Sequence, residues 1–225
     1  MKPEVFAFQY ELASDGTCVP VAILNCIAAV ACRLTISPQI VRAVFRHSLD
    51  DPQARKTSSE AIGRIVDEMN QHWSPDSSST GSRFRVSVSH LIGAEVSLSE
   101  TGRISEALSR GGSAMLLLNW PRSTKHAITL LKMNATYLWG FDSRLRLYYT
   151  PPAREGVTYL GKPGQTHGAN LRILKSWAES EDDGKWGVLG SIPKREAVTF
   201  TPCKQEKNDG NTVRNDNAVT HSGTP

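Results

Sequence analysis

The chain has 225 residues, of which 39% are hydrophobic and 21% are charged, a composition that excludes full disorder and collagen-like or coiled-coil proteins. It carries 26 Lys and Arg against 22 Asp and Glu, a formal net charge of +4, and the basic residues are scattered rather than gathered into the stripe expected of a nucleic-acid binder. The cysteines are too few and too unevenly spaced to staple a chain of this length, which favours a reducing, cytosolic setting. They are Cys18, Cys26, Cys32 and Cys203.

No signal peptide or membrane span is predicted. The N-terminus lacks a charged region followed by an apolar run, and the longest apolar stretch, residues 19–32, falls short of the ~20 residues that a bilayer requires. We therefore expect a cytoplasmic protein, or one secreted into a host cell without a cleavable signal. A single domain is predicted over residues 1–203, and residues 204–225, which contain no aromatic side chain, are predicted to be a disordered tail.

The first half of the chain is predicted to be mainly helical. After a short strand over residues 4–10, apolar residues at helical spacing from Val21 to Ala31 predict a helix that is apolar on all sides and buried in the centre of the domain. Pro20 stands in its first turn, where proline costs least, so Cys18 is placed at the N-terminus of this helix. Helices are also predicted over residues 38–46 and after the capping-box sequence at 57–60.

The second half of the chain is predicted to be mainly strands. An alternating segment over 84–88 and a short helix around 103–110, which ends at two glycines, precede four apolar runs. These runs, at 114–118, 127–131, 136–141 and 145–149, are separated by short gaps and predict an antiparallel meander. Helices first and strands later is the order of an α+β fold.

Three residues are candidates for catalysis. At a helix N-terminus, unpaired backbone N–H groups and the helix dipole favour the nucleophilic thiolate form of Cys18. His126, at the start of a predicted strand, is the candidate base, and Asp142, sixteen residues later, is the candidate acceptor that orients the imidazole. In a hairpin that turns near Asn134, His126 and Asp142 are predicted to be near cross-strand neighbours on one face of the sheet.

The order of these residues resembles the papain-like cysteine peptidase superfamily, most closely its bacteriocin-processing (double-glycine) peptidase-like domains. The Cys-bearing helix of those domains opens with an Asp-Cys-Gly-Pro-Ala type of sequence, to which Thr17-Cys18-Val19-Pro20-Val21-Ala22 is similar. Their histidine opens a strand similar to His126-Ala127-Ile128-Thr129-Leu130, and their aspartate follows at about the spacing of Asp142. Residues 107–112 resemble the helix and glycine that precede this strand. The resemblance covers residues 9–150, and papain-like bacterial effector proteases share the same short motifs.

The resemblance implies a papain-like α+β fold, in which an N-terminal helical part with a central helix carrying Cys18 packs on an antiparallel sheet carrying His126 and Asp142. It implies a cysteine peptidase that cleaves an amide bond of a protein or peptide, of the kind that includes bacterial effector and virulence proteases. It also implies that Gln9 contributes to the oxyanion hole. This chain departs from the family in two places, because Gln9 lies farther from the cysteine than the family's glutamine and Ser143 stands where the family often has proline.

Other interpretations stay open from the sequence. The same triad serves glutamine deamidation and transglutamination, since all these reactions pass through a thioester. A papain-like binding module without activity is the third interpretation, and the displaced Gln9 favours it. His167, in a glycine-flanked loop, is a rival base. The remaining histidines are dispersed, so no metal site and no cofactor are expected; they are His47, His72, His90 and His221.

Overall fold

A computed structural model of the chain describes residues 16–31, 36, 38–48, 50, 56–72, 86–120, 124–144, 154–161 and 168–203. The described part is a mixture of helices and one antiparallel sheet, as an α+β fold predicts. The helices are α1 (Cys18–Ala31), α2 (Pro38–His47), α3 (Ser59–His72), α4 (Arg103–Ser109) and α5 (Lys175–Ala178). The strands are β1 (Val86–Ile92), β2 (Ser113–Trp120), β3 (Thr124–Met133), β4 (Tyr137–Phe141), β5 (Val157–Tyr159), β6 (Leu171–Leu174) and β7 (Glu196–Pro202).

Helix α1 is the central element of the helical part. All of its residues from Cys18 to Ala28 are buried, because the sheet packs against one side of it and α2 against another. A helix that is apolar on all sides can be stable only in such a position. The N-terminus of α1, and with it Cys18, is therefore held by packing on several sides.

Helix α3 begins inside the capping sequence predicted for it. The Ser58 hydroxyl accepts a hydrogen bond from the Ala61 N–H at 3.1 Å, and the Asp50 carboxylate accepts the Ser58 N–H at 2.8 Å. Ser58 is thus the N-cap residue, which satisfies one of the first-turn N–H groups that have no partner within the helix.

The seven strands form one sheet in the order β1-β7-β2-β3-β4-β6-β5. Strands β2, β3 and β4 are sequential neighbours, as the predicted meander requires, but the C-terminal strand β7 lies between β1 and β2. This position makes the last described segment of the chain part of the sheet interior. The sheet separates two apolar clusters, one formed with α1, α2 and α3 and the other with α4 and α5.

The hairpin of β3 and β4 contains a β-bulge. Its register pairs Lys132 with Trp139 but Leu130 with Gly140, so Leu131 is one extra residue on β3. Side chains alternate between the two faces of a strand, and a shift of one residue therefore exchanges the faces of everything beyond it. The bulge thus decides which side chains of the two strands share a face.

Two adjacent glycines between α4 and β2 give a stability prediction. A Cβ atom on Gly112 would lie 2.6 Å from the Ala107 carbonyl oxygen and still closer to that of Phe200, whereas one on Gly111 would meet nothing within 4 Å. Gly111 has φ +79°, so its substitution causes only left-handed strain. We expect Gly112→Ala to cost more than ~3 kcal/mol of unfolding free energy and Gly111→Ala ~1 kcal/mol, measured by urea unfolding. Equal losses would contradict this account.

Some elements of the structure are not predicted from the sequence, and some predicted segments lie outside the described residues. Strands β5, β6 and β7 and helix α5 are not predicted by the local sequence patterns. The predicted strands over 4–10 and 145–149 and the tail over 204–225 lie outside the described residues. None of the described helices has both the length and the apolar character needed to cross a lipid bilayer.

Candidate active site

Cys18 is the first residue of α1. The earliest helical hydrogen bond there runs from the Val21 N–H to the Thr17 carbonyl at 3.1 Å. The N–H groups of the first turn have no acceptor within the helix, and Pro20 has no N–H to offer. The first turn of α1 contains no acidic residue that would offset the positive end of the helix dipole. Cys18 is 9% exposed, so its environment is electropositive and almost closed.

His126 and Asp142 form a buried pair. His126 Nε2 lies 2.7 Å from Asp142 Oδ1, and the side chains are 1% and 0% exposed. Because a carboxylate only accepts hydrogen bonds, Nε2 is the nitrogen that donates, and Nδ1 is left to face another group.

The bulge at Leu131 explains how this pair comes together. Thr129 pairs with Phe141 in the last rung of β3 and β4, so Asp142, one residue beyond it, leaves the chain on the face that Ile128 and His126 share on β3. The two side chains are therefore diagonal neighbours rather than the directly opposed pair that an even hairpin about Asn134 predicts. If the register at the turn, which pairs Lys132 with Trp139, continued without the shift, Asp142 would lie opposite Thr129 and project from the other face.

The pKa of His126 reflects its surroundings. Burial alone would lower it, but the charge and hydrogen bond of Asp142 and the hydrogen bond and charge of Cys18 raise it from 6.5 to about 10. The Cys18 thiol is therefore close enough to the imidazole to affect its pKa. Cys18, His126 and Asp142 lie in one part of the structure, with the imidazole next to both other groups.

The main chain also holds the Asp142 carboxylate. Its Oδ1 atom accepts a second hydrogen bond, from the Arg144 N–H at 2.9 Å. The Asn170 side chain bonds both the N–H and the carbonyl of Asp142. Asp142 Oδ2 is buried without a hydrogen-bond partner among the described residues. Oδ1 is thus the atom that the surrounding structure directs at His126.

An aromatic wall covers the imidazole. The ring centroids of Trp120 and His126 are 4.3 Å apart, and Trp186 follows at 4.5 Å from Trp120. Tyr159 lies 6.2 Å from Trp186, and the Arg154 guanidinium lies 4.8 Å from the Trp186 ring centroid. These rings exclude water from His126, which strengthens its electrostatic interaction with Asp142.

Trp139, on β4, has different neighbours. The ring centroids of Trp139 and Tyr137 are 5.8 Å apart, and Lys132 Nζ lies 5.3 Å from the Trp139 ring centroid. These contacts lie at the turn end of the hairpin, away from His126.

The other cysteines differ from Cys18. Cys26 lies in the same helix with 0% exposure, and burial raises the pKa of its thiol to about 12 despite hydrogen bonds from Ser113 and Thr129. Such a thiol stays protonated and unreactive. Cys203 is an exposed free thiol at the end of β7, and Cys32 lies outside the described residues.

Two candidate residues cannot be placed. Gln9, the predicted oxyanion-hole residue, and His167, the rival base, both lie outside the described residues. Among the residues that the structure describes, no group of three or more His, Cys, Asp and Glu side chains is arranged to bind a metal ion.

Comparison with known proteins adds no assignment. The chain matches no family model and no curated protein sequence. The papain-like resemblance therefore rests on the residues of this chain alone.

Sequence reasoning missed two contributors to the site, Asn170 and Trp186. Neither belongs to a motif, and both come from segments after β4 that carry no strong periodicity. Their roles follow only from β6 pairing with β4 and from the path of the chain before β7.

Proposed function

We propose that this protein is a cysteine peptidase that cleaves an amide bond of a protein or peptide, with Cys18 as nucleophile, His126 as general acid and base, and Asp142 as the residue that orients the imidazole. The observation that carries the proposal is the buried 2.7 Å hydrogen bond between His126 Nε2 and Asp142 Oδ1, on a histidine that also interacts with Cys18. Burying an ion pair is costly, so a buried imidazole–carboxylate pair beside a thiol at a helix N-terminus supports a catalytic role.

At neutral pH the raised pKa of His126 favours a proton on Nδ1, the nitrogen that Asp142 does not occupy, so the first half of the reaction starts from an imidazolium beside Cys18. Cys18 Sγ then attacks the carbonyl carbon of the scissile bond, and a C–S bond forms. The carbon–nitrogen bond breaks as the imidazolium gives its proton to the leaving amine. The products of this half are a thioester on Cys18 and a free amine.

In the second half, His126 takes a proton from a water molecule, whose oxygen attacks the thioester. The C–S bond breaks, a carboxylic acid leaves, and the thiol regains its proton. The oxyanion that forms in each half lies at the first turn of α1, where the backbone N–H of Cys18 is a donor. One such donor contributes roughly 3 kcal/mol to the stability of the transition state. Gln9 is proposed as a second donor.

The mechanism requires a free thiol, so we also propose a reducing compartment as the place of action, either the cytoplasm or the interior of a host cell. The buried, unpaired Cys26 agrees with this setting. A protein or peptide is the proposed partner.

Labelling with a thiol electrophile such as iodoacetamide, followed by peptide mapping, tests the proposal without a known substrate. We expect Cys18 to react at least about tenfold faster than Cys203, because the thiolate and not the thiol is the nucleophile. Equal rates would favour a binding module that keeps the fold without the activity.

Mass spectrometry of candidate substrates separates peptidase from acyl transferase. A peptidase yields two fragments, a glutamine deamidase yields an intact chain heavier by about 1 Da, and a transglutaminase yields a chain joined to an amine, since all three share the thioester. Only the first outcome agrees with the proposed function.

A further inference from the structure

Asn170 makes two hydrogen bonds to the main chain of Asp142. Its Oδ1 atom accepts the Asp142 N–H at 2.7 Å, and its Nδ2 atom donates to the Asp142 carbonyl at 2.8 Å. The side chain is buried, with 2% exposure. Only a side chain with an acceptor and a donor on one planar group can satisfy both partners at once.

The backbone of Asn170 is itself held. Its N–H donates to the Gly140 carbonyl at 3.0 Å, and its carbonyl accepts the N–H groups of Leu160 at 2.8 Å and Gly161 at 3.1 Å. Asn170 therefore joins the end of β4 to the segment that follows β5. Its amide group has little freedom to move.

The position of Asp142 explains why such a contact is needed. Strand β4 ends at Phe141, and its last rung with β6 pairs Gly140 with Leu171. Asp142 lies beyond this ladder, so no strand pairing orients its main chain. The Asn170 amide takes the place of the missing rung and sets the direction in which the Asp142 side chain leaves the backbone.

We propose that Asn170 is a positioning residue for the triad, which orients Asp142 towards His126 by bonding both main-chain polar groups of Asp142. This inference rests on the proposed function for its consequence in catalysis. Its geometric content, that Asn170 acts on His126 through Asp142, can be measured separately.

The chain provides a matched control. Asn70 on α3 makes the same pair of bonds to the main chain of Val88 on β1, with Nδ2 to the carbonyl at 2.9 Å and the N–H to Oδ1 at 3.1 Å. Val88 belongs to the other end of the sheet. Asn70→Ala thus removes the same contacts without touching the triad.

The experiment compares Asn170→Ala and Asn70→Ala with the wild-type protein in three measurements. These are thermal unfolding, the titration of His126 by NMR and the rate at which iodoacetamide labels Cys18. We expect both variants to unfold at lower temperature. Only Asn170→Ala should lower the pKa of His126, by about one unit, and slow the labelling of Cys18 about tenfold. Asn170→Ser, which is neutral and too short to bond both main-chain groups of Asp142, serves if the alanine variant does not fold, and should change both readouts in the same direction.

The inference is overturned if the Asn170 variants lose stability as Asn70→Ala does but leave both the His126 titration and the labelling rate unchanged. Failure of the proposed function has a different signature. In that case Cys18 of the wild-type protein reacts no faster than Cys203, while the His126 titration still reports whether Asn170 orients Asp142.

Discussion

Cys18→Ala is expected to abolish iodoacetamide labelling at the helix N-terminus and any peptidase turnover while the fold persists. Alanine is a good helix former and fits the space of the thiol, so we expect less than about 1 kcal/mol of lost stability. The pKa of His126 should also fall, because Cys18 is one of the groups that raise it. Circular dichroism, thermal unfolding and mapping of the labelled peptides measure these results.

Cys26→Ala is the matched control for this variant. Cys26 lies in the same helix but is fully buried among Ser113, Thr129 and the residues of the apolar cluster. We expect it to cost about 1–2 kcal/mol and to leave labelling unchanged, the opposite pattern to Cys18→Ala. Residual turnover in Cys18→Ala would show that Cys18 is not the nucleophile and would contradict the proposed mechanism.

Asp142→Asn is expected to reduce the rate of amide cleavage by about 10²–10⁴-fold, because the neutral amide no longer stabilises the imidazolium. Asn keeps the size of Asp and an oxygen for the Arg144 N–H. Its amide nitrogen would then occupy the place of Oδ2, which is buried without a partner among the described residues. NMR titration should show the pKa of His126 well below that of the wild-type protein.

The loss of stability in Asp142→Asn is expected to depend on pH. A histidine whose pKa is higher in the folded than in the unfolded protein stabilises the fold fully below pH 6.5, and this contribution is lost as the pH rises towards about 10. The loss of unfolding free energy caused by Asp142→Asn should therefore be largest below pH 6.5, at about 3 kcal/mol, and should shrink as the pH approaches 10. Urea unfolding at both ends of this range measures it.

Glu196→Gln controls for a general effect of removing an acidic partner from a histidine. Glu196 Oε1 lies 2.6 Å from His90 Nε2, a second imidazole–carboxylate pair between β7 and β1. This change should leave the His126 titration and Cys18 labelling as they are.

A loss of stability in Asp142→Asn that is the same at both pH values would show that the charge of Asp142 does not act through His126.

Local signals predicted much of the fold and of the candidate site. The apolar run after Pro20 predicted α1, and the spacing of His126 and Asp142 about a turn predicted that they share a face. These predictions depend on residues close together in the sequence, where hydrophobic periodicity and turn chemistry are informative.

Non-local contacts account for what the sequence analysis missed. No local pattern places β7 between β1 and β2, because that position is decided by pairing with strands about a hundred residues away. Nor does any pattern single out Asn170, whose importance comes from β6 lying beside β4. The apolar run around Leu131 gives no sign of the bulge, although the bulge sets the register that places Asp142 on the same face as His126.

The extra residue in the hairpin limits how this part of the protein can change length during evolution or design. A one-residue insertion or deletion that shifts the register of the two strands would turn the carboxylate to the opposite surface of the sheet, where the imidazole cannot reach it. Deletion of Leu131 is different, because it removes the bulge and leaves Lys132 opposite Trp139 and Leu130 opposite Gly140. The variant that lacks Leu131 should therefore keep the His126–Asp142 hydrogen bond, whereas a one-residue insertion in the regular part of the ladder should break it unless it forms a new bulge.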